Sequence, residues 1–382
     1  MDMDIIGIIK KLAIEIELKQ NSVFSYPVEK QKRYIDSFPQ PRDLIERSFF
    51  QYKCQMKLHH SWFFIIMNMF SFPLFLFYLC KSTHQIQTEK SNKTDAVFFT
   101  DGKPANILPN DVKSRYRSIK YVDEKKSAIA NEDKKYVIEL WKRYPFSWHF
   151  LLKAIIKISY YRYQIDATNA DTIIVCNEYS FTSSLLTDYC KKHSIRHINV
   201  MHGEKVFYMM DSFFEFDECH VWDEYYKKLF IELRASECQF YVSIPDSLKI
   251  VKVSTPKEYD YIYYLGGENR NQIDKIIRSM LRLSELGYRV AIRPHPRYTK
   301  QEDVLYINDN KIYICNKETI EDSIMSTKNV VSLFSTVLNQ AYNNGVSVVI
   351  DDVTDYKKYE RLKSIGYIIL AKEHTLLSEC IK

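Results

Sequence analysis

The feature that most constrains this chain is an alternation of short apolar runs and helical patterns, which begins near residue 96 and continues to residue 350. Strands that alternate with helices predict a mostly parallel sheet that is covered by helices on both faces. The alternation stops near residues 235–258, which contain Pro245 and Pro256, and then restarts. The sequence therefore predicts an α/β fold with two Rossmann-like domains, residues 1–235 and 236–382.

The predicted strands are residues 96–100, 172–176, 197–200, 216–222, 240–244, 261–265, 289–293, 311–315, 329–334 and 346–350. The predicted helices are residues 141–160, 183–192, 223–230, 271–286, 319–326 and 337–344, and residues 1–60 are expected to be mostly helical.

Composition excludes several classes of function. The net charge of +6 over 382 residues is too small for a nucleic-acid-binding stripe. The chain has only 8 glycines and lacks both G-x-x-x-x-G-K-S/T and G-x-G-x-x-G, which argues against P-loop and dinucleotide enzymes. Eight cysteines without a C-x-x-C pair predict reduced, buried thiols in a cytoplasmic protein.

The segment Trp62–Cys80 has no formal charge, although Asn68, Ser71 and Pro73 interrupt it. It is compatible with a marginal transmembrane helix, with a buried element of the first domain, and with a segment lying in a membrane interface. The acidic start of the chain, Met1–Asp4, does not resemble a signal peptide. We therefore expect a cytoplasmic protein, associated with the inner face of the cytoplasmic membrane if this segment and the lysines beside it meet lipid.

Polar residues follow the predicted strands, where ligands of such sheets bind. In the second domain, two prolines stiffen the segment Arg293-Pro294-His295-Pro296-Arg297, and Ser335 is expected to cap the helix that Thr336 begins. Guanidinium, imidazole and helix N-terminal groups suit a phosphate. The candidate phosphate-binding site consists of Arg293, His295, Pro296, Arg297, Ser335, Thr336, Gly266 and Gly267.

In the first domain, His202 ends a predicted strand and could act as a general base, while Gly203 would allow close approach of a ligand. Glu204 could orient the imidazole, contact the substrate or act as the base itself. Asp101, Asn177 and Glu178 also follow strands and are secondary candidates. The only D-x-D pair, Asp2-Met3-Asp4, is not at a strand end, so we expect neither a metal nor another cofactor.

These residues resemble the motifs of GT-B glycosyltransferases. His295-Pro296 with Ser335-Thr336 is similar to the pattern of bacterial sialyltransferases, and Met201-His202-Gly203-Glu204 resembles the His-His-Gly-Glu motif of O-antigen sialyltransferases, with Met201 in place of the first His. Thr100-Asp101-Gly102 approximates the acidic motif that holds the base in other sialyltransferases. A His-Gly and Arg-Pro-His-Pro pattern also occurs in CDP-glycerol glycerophosphotransferases.

The resemblance implies two domains that face a central cleft, and an inverting, metal-independent enzyme that moves sialic acid from CMP-sialic acid to a galactoside of a bacterial surface polysaccharide. His202, Glu204 and Asp101 are the candidate bases, with His202 favoured, and Asn177 and Glu178 would contact an oligosaccharide or lipid-linked acceptor. The alternatives are a CDP-glycerol-type glycerophosphotransferase and a non-catalytic nucleotide-binding scaffold. Nucleic acid is not an expected partner.

Overall fold

The computed structural model describes residues 26–58, 61–80, 94–123, 126–250 and 256–382. Asp2-Met3-Asp4 and the start of the chain lie outside the described residues. The chain divides into two compact units, the first comprising residues up to His202 and Phe207–Ser243, and the second comprising Gly203–Val206 and Ile244–Lys382.

The first unit is built from strands β1 to β6 and the helices around them. Its elements in chain order are α1 (Val28–Asp36), α2 (Leu44–Leu58), α3 (Ser61–Cys80), β1 (Ala96–Phe99), α4 (Asn110–Lys113), β2 (Ile119–Val122), α5 (Asn131–Arg143), α6 (Trp148–Thr168), β3 (Thr172–Val175), α7 (Ser183–Lys192), β4 (Arg196–Val200), β5 (Glu218–Val221), α8 (Glu224–Glu232) and β6 (Phe240–Val242).

The strands of the first unit pair in the order β2-β1-β3-β4-β5-β6, and every pair is parallel. Strands β1 and β3 are buried along their whole length, as expected for strands covered on both faces. The strand order reverses between β1 and β3, so the crevice for a ligand is expected at their carboxyl ends. Because β6 pairs with β5, the first unit extends past the boundary predicted at residue 235.

The second unit repeats the alternation. Its elements are β7 (Tyr259–Tyr264), α9 (Arg270–Glu285), β8 (Val290–Arg293), α10 (Gln301–Asp309), β9 (Tyr313–Ile314), α11 (Ile320–Ser326), β10 (Thr327–Ser332), α12 (Thr336–Asn343), β11 (Ser347–Ile350), α13 (Tyr356–Ser364), β12 (Thr375–Leu376) and α14 (Leu377–Cys380).

The second sheet has the parallel order β12-β11-β10-β7-β8-β9. Read from β9, this is the Rossmann order 3-2-1-4-5-6, and it reverses between β7 and β10. The apolar face of α9, including Ile273, Ile276 and Met280, packs in the core over Tyr263 and Ile292. The predicted α/β class with two Rossmann-like domains, the pair of domains found in the GT-B class, is confirmed, while the central cleft stays a prediction.

Several elements differ from the sequence expectations. Strand β2 was not predicted, because as an edge strand it buries only Val122 and lacks an apolar run. Strand β12 follows β11, so residues 346–350 are not the last strand. The expected helix 141–160 is divided between α5 and α6, because Pro145 lies in the loop between them.

Helices α1 and α2 confirm the helical expectation for the described part of residues 1–60. In the five described ranges, none of the helices has the length and apolar character that a membrane crossing requires.

All eight cysteines are free thiols. Cys54, Cys176, Cys190, Cys219 and Cys315 are buried, whereas Cys80 and Cys238 are exposed and Cys380 is half-buried.

Candidate active sites at the two switch points

A cavity of about 490 Å³ opens at the carboxyl ends of β1 and β3 in the first unit. Its lining residues are Asp101, Gly102, Asp123, Lys157 and Tyr179. Two carboxylates, an ammonium group and a phenol offer both acceptors and donors of hydrogen bonds, which is the combination that sugar hydroxyls require. The cavity therefore occupies the position where the strand order predicts a ligand.

A tight turn places Asp101 beside this cavity. Asp101 and Gly102 have φ values of 48° and 76°, in the left-handed region that glycine adopts most easily. The amide of Gly102 donates to Asp123 Oδ1 at 2.6 Å, and the Thr100 hydroxyl lies 3.3 Å from the same oxygen. Asp123 thus fixes the turn that presents Asp101.

His202 lies against a buried carboxylate in the same unit. Its Nδ1 is 3.5 Å from Glu178 Oε1, and the imidazole contacts the edge of the Tyr179 ring at a centroid distance of 6.1 Å. Glu178 is fully buried, whereas the His202 side chain keeps 24% of its accessible surface. Such a carboxylate stabilises the imidazolium that forms when the histidine accepts a proton.

Hydrogen bonds hold Glu178 in place. Its Oε2 accepts from Asn199 Nδ2 at 3.2 Å, and Asn199 Oδ1 accepts from the amide of Asn177 at 2.8 Å. Gln51 of α2 donates to the Glu178 carbonyl at 2.9 Å. Asn177 and Glu178, predicted to contact an acceptor, are both buried in the structure and form the support behind His202.

Glu204 has a different environment from His202. It belongs to the second unit, where Asn339 of α12 donates a hydrogen bond to its carboxylate and Lys372 donates to Asn339 Oδ1 at 2.8 Å. A Cβ atom added at Gly203 would meet nothing within 4 Å, so the protein itself does not require glycine there. The catalytic role of Glu204 stays a prediction.

At the switch point of the second unit, two consecutive backbone amides bind a carboxylate. The amides of Gly266 and Gly267 donate to Glu268 Oε2 at 2.8 Å and 3.0 Å. Paired backbone amides of this kind form an anion-binding concavity. Gly267 has a φ of 109°, and a Cβ atom there would lie 3.1 Å from Tyr298 Cβ, so the turn requires glycine.

The His-Pro loop lies beside this turn. The His295 ring stacks on Tyr298 at a centroid distance of 4.4 Å, and its Nδ1 accepts from the Arg297 amide at 3.1 Å. Partial burial lowers the pKa of His295, with Glu268 opposing and Arg297 reinforcing the effect. The neutral tautomer consistent with these contacts therefore carries its proton on Nε2, which can donate to a ligand.

The two arginines of this segment differ. Arg293 donates to the carbonyls of Cys315 and Glu318 at 3.2 Å and 2.9 Å, which ties the end of β8 to the loop after β9. Arg297 and Pro296 are exposed. Of the two guanidiniums, only that of Arg297 is presented at the surface, and a donor contact by Arg293 stays a prediction.

Ser335 caps α12, as the sequence predicts. Its Oγ accepts from the Val337 amide at 3.3 Å, and Thr336 is the first residue of the helix. A Cβ atom at Gly266 would lie 3.7 Å from the Phe334 carbonyl. The helix start is therefore adjacent to the glycine turn at this switch point.

A cluster of Glu132, Asp133 and His193 places three potential metal ligands within 4.8 Å of one another. Arg162 already lies among them: its guanidinium bonds Asp133 at 2.9 Å, contacts Glu132, and is 3.3 Å from His193 Nε2. A cation would compete with this guanidinium, so we interpret the cluster as a structural ion-pair network.

The sequence reasoning missed several residues of both sites. Asp123 follows an edge strand that was not predicted, and Lys157 is one of many basic residues on helices. Tyr179 and Glu268 directly follow the predicted pairs Asn177-Glu178 and Gly266-Gly267. Extending each of these predicted pairs by one residue would have included Tyr179 and Glu268.

No protein-family profile and no curated protein matches the chain. Solved structures with a similar arrangement include UDP-N-acetylglucosamine 2-epimerase from Rickettsia bellii, at 13% identity over 67% of this chain and 78% of that chain, with a TM-score of 0.41. HepE from Anabaena, in complex with UDP-glucose, has 10% identity over 76% of this chain and 90% of its own, with a TM-score of 0.43. The wall teichoic acid polymerase TagF has 10% identity over 87% and 86% of the two chains, with a TM-score of 0.39.

Proposed function

We propose that this chain is an inverting glycosyltransferase that moves sialic acid from CMP-sialic acid to a galactoside of a bacterial surface polysaccharide. The observation that carries the proposal is the pair formed by His202 and the buried carboxylate of Glu178, 3.5 Å apart, in the unit whose switch point holds a polar cavity. An oriented imidazole is the arrangement needed to remove a proton from an acceptor hydroxyl.

In the proposed reaction the acceptor occupies the cavity of the first unit, held by Asp101, Asp123 and Lys157. His202 takes the proton of the acceptor hydroxyl, and Glu178 stabilises the resulting imidazolium. The acceptor oxygen forms a bond to the anomeric carbon of sialic acid while the bond to the phosphate oxygen of CMP breaks. The configuration at that carbon is inverted, and CMP leaves with the bonding electrons.

The second unit supplies the groups for the departing phosphate. His295 Nε2–H and Arg297 donate to it, and the start of α12 at Ser335 and Thr336 adds backbone N–H groups. The amides of Gly266 and Gly267 bind the carboxylate of Glu268, and a phosphate is likewise an anionic acceptor of such bonds. Because the chain provides these donors, we propose that the reaction is independent of metal, and that EDTA leaves turnover unchanged.

The deciding experiment incubates the protein with CMP- and CDP-activated donors and a β-galactoside, and weighs the products by mass spectrometry. Transfer of sialic acid supports the proposal. Transfer of glycerol phosphate from CDP-glycerol with release of CMP, which leaves a phosphodiester in the product, would instead establish the alternative phosphotransferase. Binding of CMP without turnover of any donor would establish the scaffold.

Variants then identify the base. His202→Asn should lower kcat by about 10²–10⁴, the contribution of a positioned general base, while leaving the affinity for CMP unchanged. Asp101→Asn is the matched comparison, because Asp101 is the other candidate base and lines the cavity of the first unit. If Asp101→Asn abolishes turnover and His202→Asn does not, the base is Asp101, as the acidic motif of other sialyltransferases implies.

A further inference from the structure

One face of α3 is apolar and exposed. The side chains on it keep between 38% and 69% of their accessible surface. They are Ile65, Ile66, Met69, Phe70, Phe72, Leu74 and Phe77. Soluble proteins scatter exposed apolar side chains singly, so seven of them on one helix mark an interaction surface.

The opposite face fixes the helix to the first unit. Phe64, Ser71 and Phe75 are buried, and Phe75 packs edge-on against Trp141 at a centroid distance of 5.6 Å. Asn68 donates to the Phe146 carbonyl at 2.7 Å and accepts from the His149 amide at 3.0 Å. These bonds also hold Phe146, whose side chain is 79% exposed, beside α3. The outward face is therefore presented by a helix that is firmly packed on its other side.

The segments that form and support this face are rich in basic residues. Residues 47–80 contain three basic residues and no Asp or Glu, and residues 140–165, which include the packing partner α6, contain five basic residues and no Asp or Glu. The three arginines Arg47, Arg143 and Arg162 pair with carboxylates from other segments. The other five cations are lysines: Lys53, Lys57, Lys142, Lys153 and Lys157.

We propose that the exposed face of α3, together with Phe146, inserts into the interface of an anionic lipid bilayer. The apolar helix face would provide the burial, and lysines of the neighbouring segments would meet anionic head groups, which is the composition of interfacial helices. A second copy of the same face is a poorer occupant, because it would bring two lysine-rich surfaces together without any carboxylate from these segments.

This inference also bears on the proposed function, on which the following step rests. Lys157 of α6 lines the cavity of the first unit, and α6 packs against α3. A bilayer at α3 would hold that cavity near lipid, so the acceptor would be a lipid-linked glycan rather than a free oligosaccharide.

The test is flotation of the full chain with vesicles, without donor or acceptor, so that its result does not depend on the proposed reaction. Vesicles of phosphatidylglycerol and phosphatidylcholine are compared with vesicles of phosphatidylcholine alone. We expect the wild type to float with the anionic vesicles, and 0.5 M salt to reduce the bound fraction because it screens the lysines.

The variant Phe70→Ser/Leu74→Ser removes two outward apolar side chains. We expect its partition coefficient to fall at least about tenfold, because each substitution removes the favourable free energy of transferring a large apolar side chain out of water. The matched control is Leu305→Ser/Tyr313→Ser, whose side chains in the second unit are 57% and 50% exposed. The proposal would be overturned if the wild type does not float with the anionic vesicles, or if the two variants lose vesicle binding to the same extent. A dimer in solution that Phe70→Ser/Leu74→Ser dissociates would also overturn it.

Discussion

At the scale of single residues, Glu178 is the group whose role the structure changes most. It is fully buried behind His202 and fixed by Asn199, so in the proposed reaction it would act on a substrate only through the imidazole. Glu178→Gln keeps the shape and removes the charge. We expect kcat to fall at least about 100-fold, because the imidazolium loses its counter-charge.

The pH profile of kcat/KM distinguishes a Glu178 that stabilises the His202 imidazolium from a Glu178 that only supports the fold. Removing the adjacent negative charge disfavours the imidazolium, so the acidic limb of the profile of kcat/KM should move to lower pH in Glu178→Gln. The control is Glu218→Gln, which alters another buried carboxylate–histidine contact, Glu218 Oε2 to His220 Nε2 at 3.1 Å. A profile that shifts equally in both variants would contradict the assignment.

Glu268 gives a second prediction at this scale. Its carboxylate occupies the amides of Gly266 and Gly267, which a phosphate would otherwise bind. Glutamine keeps an acceptor oxygen but has no charge, so Glu268→Gln should bind the two amides less tightly and remove the repulsion of a phosphate. We expect it to tighten the binding of CMP by about three- to tenfold, the worth of about one hydrogen bond. Isothermal titration calorimetry measures the affinity for CMP, and Glu302→Gln, at an exposed glutamate of the same unit, is the control. Weaker binding in Glu268→Gln would mean that the carboxylate helps to hold the ligand.

At the scale of elements, the glycine turn after β7 can be tested by a matched pair of substitutions. Gly267→Ala places a Cβ atom 3.1 Å from Tyr298 Cβ at a φ of 109°, whereas Gly266→Ala meets only ordinary contacts at 3.5 Å and 3.7 Å. We expect Gly267→Ala to lower the free energy of unfolding by about 1–3 kcal/mol and Gly266→Ala to change it little. Urea denaturation measures both free energies of unfolding. If Gly267→Ala changes the free energy of unfolding as little as Gly266→Ala does, the turn tolerates a side chain at both positions.

The sequence predicted most elements because burial on both faces leaves a strong pattern. Strands such as Thr172–Val175 are continuous apolar runs, and α9 has an apolar face, so both were recognisable. The edge strands β2 and β12 carry weak patterns because few of their side chains are buried. For the same reason Asp123, which follows β2, could not be placed in the cavity beforehand.

The sequence also identified which residues follow the strands, but not what each side chain contacts. His202 and Ser335 lie where their positions after β4 and β10 predicted. Arg293 and Glu204 are engaged by Cys315, Glu318 and Asn339, which come from distant parts of the chain. Contacts of this kind depend on tertiary packing and leave no local pattern.

At the scale of the whole molecule, a buried histidine predicts the response to acid. His197 is fully buried between Tyr161 and Thr187, and burial lowers its pKa from 6.5 to about 3. The unfolded chain therefore binds this proton below pH 6.5 while the folded chain does not, so stability is present above that pH and is lost as the pH falls toward 3.

We expect this group to cost about 2 kcal/mol of stability at pH 5 relative to neutral pH, at about 1.36 kcal/mol per pKa unit. Urea denaturation of the wild type and His197→Gln at both pH values measures the difference. The variant keeps a side chain that can donate and accept hydrogen bonds but does not titrate, so the dependence on pH should be weaker. An identical dependence in the two proteins would show that other groups are responsible.

The uneven distribution of thiols gives a practical route to following this protein. Cys80 ends α3 and is exposed, and Cys238 is exposed elsewhere on the first unit, whereas five of the other cysteines are buried. A thiol-reactive fluorophore should therefore modify these two positions first, and Cys238→Ser would leave Cys80 as the main target. An environment-sensitive dye at that position would report a change of polarity around the end of the helix in real time, without an engineered cysteine.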